Sequence, residues 1–210
     1  MADPEPIWPD YLSGPAEHYH ALGVIAAMFN VLEYRFLGLF LLYQGYSDDT
    51  AWLFRRLKDN RLRMDILTRA VEARAETPEI KDAVLWFMEG FGICADNRNV
   101  LMHSTTTTVT TDGIVDMLVF NKGKLKNPLT PNRFFMNLPA LRRVANEMNA
   151  FSSFGYGIYQ HVVGTYKGDE FSGPFPLQFG GPLPGKPAPP TELTPSEFPT
   201  LEAVQPQPQS

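Results

Sequence analysis

The chain has 210 residues, of which 44% are hydrophobic and 20% charged, and its formal net charge is −5. These values are ordinary for a soluble globular domain with one hydrophobic core, and the length does not require a second core. The single cysteine, Cys94, excludes a disulfide framework within one chain, and its apolar neighbours favour buried packing over nucleophilic chemistry.

The first helix is predicted over about residues 15–43, after a flexible N-terminus of residues 1–14. Asn30, Glu33 and Arg35 interrupt its apolar sequence, so the charge-free pieces are shorter than the roughly 20 residues that a bilayer requires. The N-terminus has acids and prolines where a signal peptide has basic and then apolar residues. We therefore expect a buried core helix in a cytoplasmic protein, without a membrane partner.

Two further helices are predicted from their start signals. The second follows Ser47-Asp-Asp, which offers an N-cap side chain and first-turn acids, and it runs to about residue 75. The third opens with Thr77-Pro-Glu and runs to about residue 103. This tripeptide combines an N-cap hydroxyl, a proline at the first helical position and an acid at the positive end of the helix dipole.

The pattern then changes from helical to extended. A β-branched run at 105–111 and an apolar run at 114–120 flank Asp112-Gly113, a dipeptide typical of tight turns. A short third strand is predicted near Phe134. Together these features predict a β-hairpin, over about residues 105–126, inserted between the third and fourth helices.

The fourth helix begins near Leu138 and runs to about residue 163, with Gly155 and Gly157 weakening its second half. Beyond it, residues 168–210 contain eleven of the nineteen prolines and only scattered apolar residues. Such a segment cannot form a packed core, so we predict a disordered, proline-rich C-terminal tail. The predicted fold class is mainly α: a four-helix up-and-down bundle over 15–167, with the inserted hairpin and the disordered tail.

The acidic residues are concentrated at the two ends of the chain. Residues 1–17 contain four acids and no lysine or arginine, and residues 168–210 contain five acids and one lysine. The remaining 17 basic and 14 acidic residues give the segment 18–167 a net charge of +3. This mildly basic core is compatible with phosphate binding but does not require it.

Each of two core helices places one charged residue on its apolar face. Arg98 lies 18 residues after Ile80, about five full helical turns, and so at the centre of the face to which Ile80 belongs. On the first helix, Glu33 lies four residues after Phe29 and three before Phe36. An unpaired buried charge costs on the order of several kcal/mol. We therefore predict that Glu33 and Arg98 face each other, or that one of them meets a partner across a cleft.

Two interpretations of Arg98 are open at this point. In the first, an ion pair between Glu33 and Arg98 only orients the helices, and His103 is a helix C-terminal residue that interacts favourably with the dipole. In the second, Arg98 and the nearby His103 converge on a phosphate group. Asn99 favours the second interpretation, because it is four residues before His103 and lies on the same side of the helix.

The hexapeptide Arg98-Asn99-Val-Leu-Met-His103 resembles the R-(N/polar)-x(4–6)-H signature of the HEPN superfamily, here with four residues, including Asn99, between the arginine and the histidine. In those proteins the signature lies towards the end of an inner helix in a bundle of four or five helices. HEPN domains also often carry an inward-facing acidic residue in an apolar helix, which would be Glu33 in this chain. The resemblance covers about residues 16–164. A hairpin between the last two helices occurs in some HEPN-like proteins and does not identify a subfamily.

The resemblance implies metal-independent cleavage of RNA, in which a ribose 2′-hydroxyl attacks the adjacent phosphorus. His103 would act as general acid or base, because histidine changes its protonation state near neutral pH. Arg98 would stabilise the charge on the phosphoryl oxygens through its planar guanidinium. Asn99 would position the phosphate or Arg98, and Glu33 would hold Arg98.

The resemblance also implies a homodimer in which two such motifs line one cleft, and a ribonuclease of the toxin or phage-defence type with an antitoxin or other protein partner. No cofactor and no metal site are expected, because no cluster of His, Cys, Asp and Glu has ligand spacing. The competing hypothesis is a non-catalytic helical dimer that binds a nucleotide or a protein. A third hypothesis is an adaptor whose proline-rich tail carries the function.

Overall fold

The computed structural model describes residues 15–103, 105–111, 114–121, 132–167 and 181–195. Within these residues the elements are α1 Ala16–Gln44, α2 Asp48–Arg56, α3 Asn60–Arg74, α4 Pro78–Met102, β1 Thr105–Thr111, β2 Ile114–Asn121, β3 Asn132–Met136 and α5 Leu138–Val162, which continues as a π-helical turn over Val163–Lys167. The prediction of a mainly helical fold is confirmed. The predicted flexible N-terminus, residues 1–14, lies outside the described residues.

The helix ends follow the capping chemistry of the sequence. Ser47, Thr77 and Asn137 each accept a hydrogen bond from the backbone N–H three residues later, at 3.1, 3.3 and 2.8 Å. These bonds satisfy N–H groups that have no partner within the helix. Gly45 ends α1 with a φ of 101°, a conformation that a residue with a Cβ rarely adopts.

The predicted second helix is two helices in the structure. α2 ends at Arg56, and Asp59 caps α3 by accepting a hydrogen bond from the N–H of Arg61 at 2.8 Å. An aspartate that binds the backbone next to it offers the chain an alternative to helix, which explains the break. The prediction of one continuous helix to residue 75 is therefore wrong at residues 57–59.

This break reverses the chain, so that α3 runs in the same sense as α1. Near the start of α3, Arg63 forms an ion pair with Glu33 at 2.7 Å. Near its end, Nη1 of Arg74 donates a hydrogen bond to the carbonyl of Tyr43 at 2.6 Å. Helices α1 and α3 are therefore parallel. At α3 the fold differs from the predicted up-and-down bundle, in which neighbouring helices alternate in direction.

Helices α4 and α5 pack antiparallel, with a glycine of each helix facing a phenylalanine of the other. A Cβ on Gly90 would lie 1.9 Å from the ring of Phe151, and a Cβ on Gly155 would lie 2.4 Å from the ring of Phe87. Both glycines are therefore needed for the close approach of the two helices. Gly155, although unfavourable for an isolated helix, is required by this packing.

Aromatic side chains fill the space between α1 and α4. The ring of Phe91 contacts those of Phe29 and Phe36, with centroid separations of 5.8 and 4.5 Å. α1 also packs along α5. Among the described residues, α1 is the one helix long and apolar enough to cross a membrane by length and composition alone, with a mean hydropathy of 1.6. The core helix of a soluble protein passes the same test, and 44% of the apolar window of α1 is buried.

The three strands form an antiparallel sheet in the order β1-β2-β3. The pair Thr105↔Phe120 joins β1 to β2, and the pair Met117↔Met136 joins β2 to β3. In β3 the buried Phe134 and Met136 flank an exposed residue, the alternation of a half-buried strand. The predicted turn at 112–113 and the predicted hairpin residues 122–126 lie outside the described residues.

Residues 181–195 lie along the groove between α4 and α5 without forming helix or strand. Pro190 is buried, and Leu183 and Leu193 pack against the core. The prediction of disorder over the whole of 168–210 is therefore wrong for residues 181–195. An extended segment can bury its apolar groups against existing helices without forming a core of its own. Residues 168–180 and 196–210 lie outside the described residues.

Candidate functional site

Arg98, Asn99 and His103 meet at the C-terminal end of α4. The Nη1 nitrogen of Arg98 donates a hydrogen bond to Oδ1 of Asn99 at 3.2 Å, and it lies 2.9 Å from Nε2 of His103. Arg98 is half-buried, whereas Asn99 and His103 are exposed. A ligand in solution can therefore reach all three side chains.

The end of the helix explains why His103 reaches Arg98. A continuing helix would place the two side chains about 140° apart. However, α4 ends at Met102, and His103 is the C-cap residue, with a φ of −108° and a ψ of 20°. Its N–H still donates to the carbonyl of Asn99 at 3.2 Å. The backbone is thus held by the helix while the imidazole turns towards the guanidinium.

The chemistry of the contact specifies the form of the histidine ring. A guanidinium only donates hydrogen bonds, so Nε2 of His103 must accept the bond from Arg98. With Nε2 as the acceptor, the ring hydrogen lies on Nδ1. In this contact neither ring nitrogen is free to take a proton, so a general-base role requires Arg98 to release Nε2.

Glu33 does not join this cluster. Its carboxylate accepts a hydrogen bond from Nη1 of Arg63 at 2.7 Å. Arg63 is only 7% exposed, and its Nε donates to the carbonyl of Phe54 at 3.0 Å. The predicted ion pair between Glu33 and Arg98 is therefore wrong. Glu33 is paired instead with an arginine of the neighbouring helix α3.

The sequence indicates that Arg63 lies on the buried face of its helix. This arginine lies four residues before Leu67 and eight before Val71, both fully buried, which is the spacing of one helix face. Periodicity alone offers Glu33 two inward arginines, one on α3 and one on α4. Choosing between them requires the packing of α3 against α1, which the sequence pattern does not specify.

Arg98 packs against an aromatic ring rather than a carboxylate. Its guanidinium carbon lies 5.6 Å from the ring centre of Phe29, within the range of a cation–π interaction. Among the residues that the structure describes, no carboxylate forms an ion pair with Arg98. Its positive charge is therefore oriented by neutral groups and is available to an anionic ligand.

The surroundings of the lone cysteine and of the metal-ligating residue types bear on two other kinds of site. Cys94 is buried, and this burial, together with the nearby carboxylate of Glu147, raises the pKa of its thiol to about 12. A thiol with this pKa is a poor nucleophile near neutral pH. Within the described part of the chain, no group of three or more His, Cys, Asp or Glu residues is placed to hold a metal ion.

Sequence patterns miss the role of Asn97, the residue before Arg98. Asn97 is only 3% exposed, and its side-chain amide binds the backbone of residues 191 and 193. Asn97 lies three residues after Cys94, on the apolar face of α4, and this spacing indicates that its polar side chain is buried. The candidate site therefore lies next to the proline-rich segment.

No family model, curated protein or solved structure matches the chain. The resemblance to the HEPN superfamily therefore stays a prediction that depends on the hexapeptide and its position at a helix end. Any assignment of function depends on the chemistry of the side chains described above.

Proposed function

We propose that the chain is a metal-independent ribonuclease in which Arg98 and His103 form the catalytic pair. The observation that carries the proposal is the 2.9 Å contact between Nη1 of Arg98 and Nε2 of His103 at an accessible helix end. It joins a permanent cation to a side chain that exchanges protons near neutral pH. These are the two groups that an attack on a phosphodiester requires, one for charge and one for proton transfer.

In the proposed reaction, the guanidinium of Arg98 turns from Nε2 of His103 to the substrate phosphate, and the freed Nε2 takes the proton of a ribose 2′-hydroxyl. The 2′-oxygen forms a bond to the adjacent phosphorus, and the bond from phosphorus to the 5′-oxygen breaks. Arg98 donates hydrogen bonds to the non-bridging oxygens, on which negative charge develops. Asn99 accepts a hydrogen bond from Arg98 through Oδ1, which leaves its amide N–H groups to orient the phosphate. The products are a 2′,3′-cyclic phosphate and a 5′-hydroxyl.

The proposal includes a homodimer in which two copies of the site line one cleft. One histidine that has just taken a proton from the nucleophile is not also placed to protonate the leaving oxygen from the opposite side. In a dimer, His103 of the partner subunit supplies that proton. We further propose a cytoplasmic toxin or defence role, in which an antitoxin or other protein restrains the RNA cleavage.

The test is cleavage of a long single-stranded RNA in the presence of EDTA. We expect the wild-type protein to cleave, and His103→Ala and Arg98→Ala each to lose at least about 100-fold in rate, the lower end of a general acid–base contribution. His20→Ala is the matched control, because His20 is an exposed histidine on α1, and it should cleave like wild type. RNA ends should carry a 2′,3′-cyclic phosphate. Absence of cleavage by the wild-type dimer would contradict the proposal.

The alternative is a non-catalytic helical dimer that binds a nucleotide or a protein. One observation favours it: the hydrogen bonds from Arg98 to Asn99 and His103 give both N–H groups of Nη1 an acceptor without any substrate. On this alternative, His103→Ala lowers the free energy of unfolding, and no variant or wild-type protein cleaves RNA. Unfolding in urea, measured beside the cleavage assay, separates the two functions.

A further inference from the structure

The proline-rich segment 181–195 occupies the groove between α4 and α5 through contacts of a kind that peptide-binding proteins use. Its main chain is held by side chains of the helices rather than by strand pairing. The side-chain amide of Asn97 donates from Nδ2 to the carbonyl of Thr191 at 2.9 Å and accepts at Oδ1 from the N–H of Leu193, also at 2.9 Å. This amide thus binds a donor and an acceptor of an extended backbone simultaneously.

A tryptophan supplies a second contact with the main chain. Nε1 of Trp86 donates a hydrogen bond to the carbonyl of Pro187 at 3.2 Å. A polyproline-type chain has no internal hydrogen bonds, so its carbonyls are available to such donors. Because proline-rich peptides are already extended, they also lose little conformational freedom on binding, and aromatic-lined grooves recognise them for this reason.

Further contacts select particular side chains of the segment. Gly157 makes room for Pro184, since a Cβ at residue 157 would lie 2.9 Å from Cγ of that proline. Nζ of Lys186 lies 2.6 Å from Oδ2 of Asp82, and 5.2 Å from the ring centre of Trp86.

Side chains near the C-terminal end of the segment also make specific contacts with the helices. Pro190 is buried, and Oγ1 of Thr191 donates to the carboxylate of Glu147 at 3.0 Å. The groove therefore offers three specific contacts: a glycine surface for one proline, an acidic side chain for a lysine, and a hydrogen-bond acceptor for a threonine hydroxyl.

We propose that the groove between α4 and α5 is a binding site for extended proline-rich peptides, with the chain's own residues 181–195 as its resident ligand. The pattern that it recognises is Pro-x-Lys-x3-Pro-Thr-x-Leu, as it stands at residues 184–193. Thirteen residues, 168–180, separate the segment from the π-helical turn, and the segment shares no helix or strand with the groove. Its recognition therefore depends on side-chain chemistry that a separate peptide of the same pattern can satisfy. The proposal is independent of RNA cleavage.

The test uses the full chain with its own segment weakened by Lys186→Glu and Leu193→Asp. These substitutions remove the partner of Asp82 and a partly buried leucine, and they leave the groove unchanged. A fluorescently labelled peptide of residues 181–195 is then titrated and its anisotropy measured. We expect saturable binding at least tenfold tighter than to the wild-type chain, whose groove is occupied. A peptide of the same composition in scrambled order should not bind.

Groove variants made in the same weakened chain identify where the peptide binds. Asn97→Ala removes two hydrogen bonds to the peptide backbone, and we expect it to weaken binding at least tenfold. Asn30→Ala is the matched control, because Asn30 is an exposed asparagine on α1, and it should bind the peptide like the weakened chain. Equal binding by the Asn97→Ala and Asn30→Ala variants would contradict the proposed location.

A second design avoids dependence on the weakened chain. A protease recognition sequence is placed within residues 168–180 of the otherwise unchanged chain, and the folded protein is then cleaved. We expect the resident segment to stay bound on gel filtration and to exchange with added labelled peptide. The proposal is overturned if neither design gives saturable binding, or if the scrambled peptide binds equally well. Those results would make the segment a fixed part of the fold.

Discussion

At the scale of single residues, the two charged side chains of the apolar faces have different surroundings. Glu33 is paired with a buried arginine that also binds a backbone carbonyl. Arg98 lies at a helix end beside an aromatic ring and two neutral polar groups. The first arrangement fixes α3 to α1, and the second leaves a cation accessible to a ligand. Glu33 therefore acts in folding, and the chemistry is expected at Arg98 and His103.

The structural role of Glu33 leads to a prediction about Arg63. Arg63→Ala leaves the Phe54 carbonyl and the Glu33 carboxylate without this donor, so we expect the free energy of unfolding to fall by about 2 kcal/mol. Glu33→Gln keeps a hydrogen-bond acceptor and should cost less than about 1 kcal/mol. Urea unfolding measures both values. If Glu33→Gln instead abolished RNA cleavage while leaving stability unchanged, the structural assignment would be wrong.

Cys94 provides a prediction about reactivity. Burial raises the pKa of its thiol to about 12, so the thiolate is a negligible fraction at pH 8 in the folded protein. We expect reaction with a thiol-specific reagent to be at least about 100-fold slower in buffer than in urea, where the chain is unfolded and an ordinary cysteine pKa is near 8.5. Equal rates in the two solvents would show that Cys94 is accessible in the native state.

At the scale of elements, α5 presents glycines to two different partners. Gly155 admits a phenylalanine of α4, whereas Gly157 lies under a proline of the segment 181–195. Glycine lowers the intrinsic stability of a helix. A glycine within a helix is therefore expected mainly where a Cβ would clash with a neighbouring group. The packing of the proline-rich segment is thus encoded partly in the sequence of α5.

Replacing Gly157 tests this packing. Gly157→Ala should displace Pro184, because the new Cβ would lie 2.9 Å from Cγ of that ring. Gly23→Ala is the matched control, since Gly23 lies within α1 with nothing within 4 Å of an added Cβ. The control should gain up to about 1 kcal/mol from the higher helix propensity of alanine, and Gly157→Ala should gain none. Thermal unfolding compares the two, and an equal gain at both sites would contradict the packing of Pro184.

At the scale of the whole molecule, local signals in the sequence predict the helices better than their arrangement. The caps at Ser47 and Thr77 and the strand run at 105–111 depend on neighbouring residues, and each could be read directly. The break at Asp59 also depends on a local hydrogen bond. In the sequence, however, an aspartate that caps a new helix looks the same as an exposed aspartate within a continuous helix. The partner of Glu33 and the docking of residues 181–195 depend on contacts between distant parts of the chain. Composition and periodicity do not contain that information.

The tyrosines that join distant segments make stability depend on alkaline pH. Burial, together with its contact to Tyr46 at 2.9 Å, raises the pKa of Tyr159, and burial and the Glu76 carboxylate raise the pKa of Tyr43. In the unfolded chain both tyrosines ionise near pH 10, whereas in the folded protein they stay protonated. Above about pH 10 the unfolded state therefore binds fewer protons, and the free energy of unfolding falls as the pH rises.

Tyr159→Phe isolates this effect from the titration of other groups. The variant keeps most of the apolar packing but has no hydroxyl to ionise, so its melting temperature should fall less than that of wild type between pH 9 and pH 11. Tyr166→Phe, at a tyrosine that is 44% exposed, should follow wild type. Below pH 9 both states hold the phenolic proton, and the difference between wild type and Tyr159→Phe should then be independent of pH. An equal alkaline loss in Tyr159→Phe and wild type would mean that this tyrosine ionises alike in the folded and unfolded states.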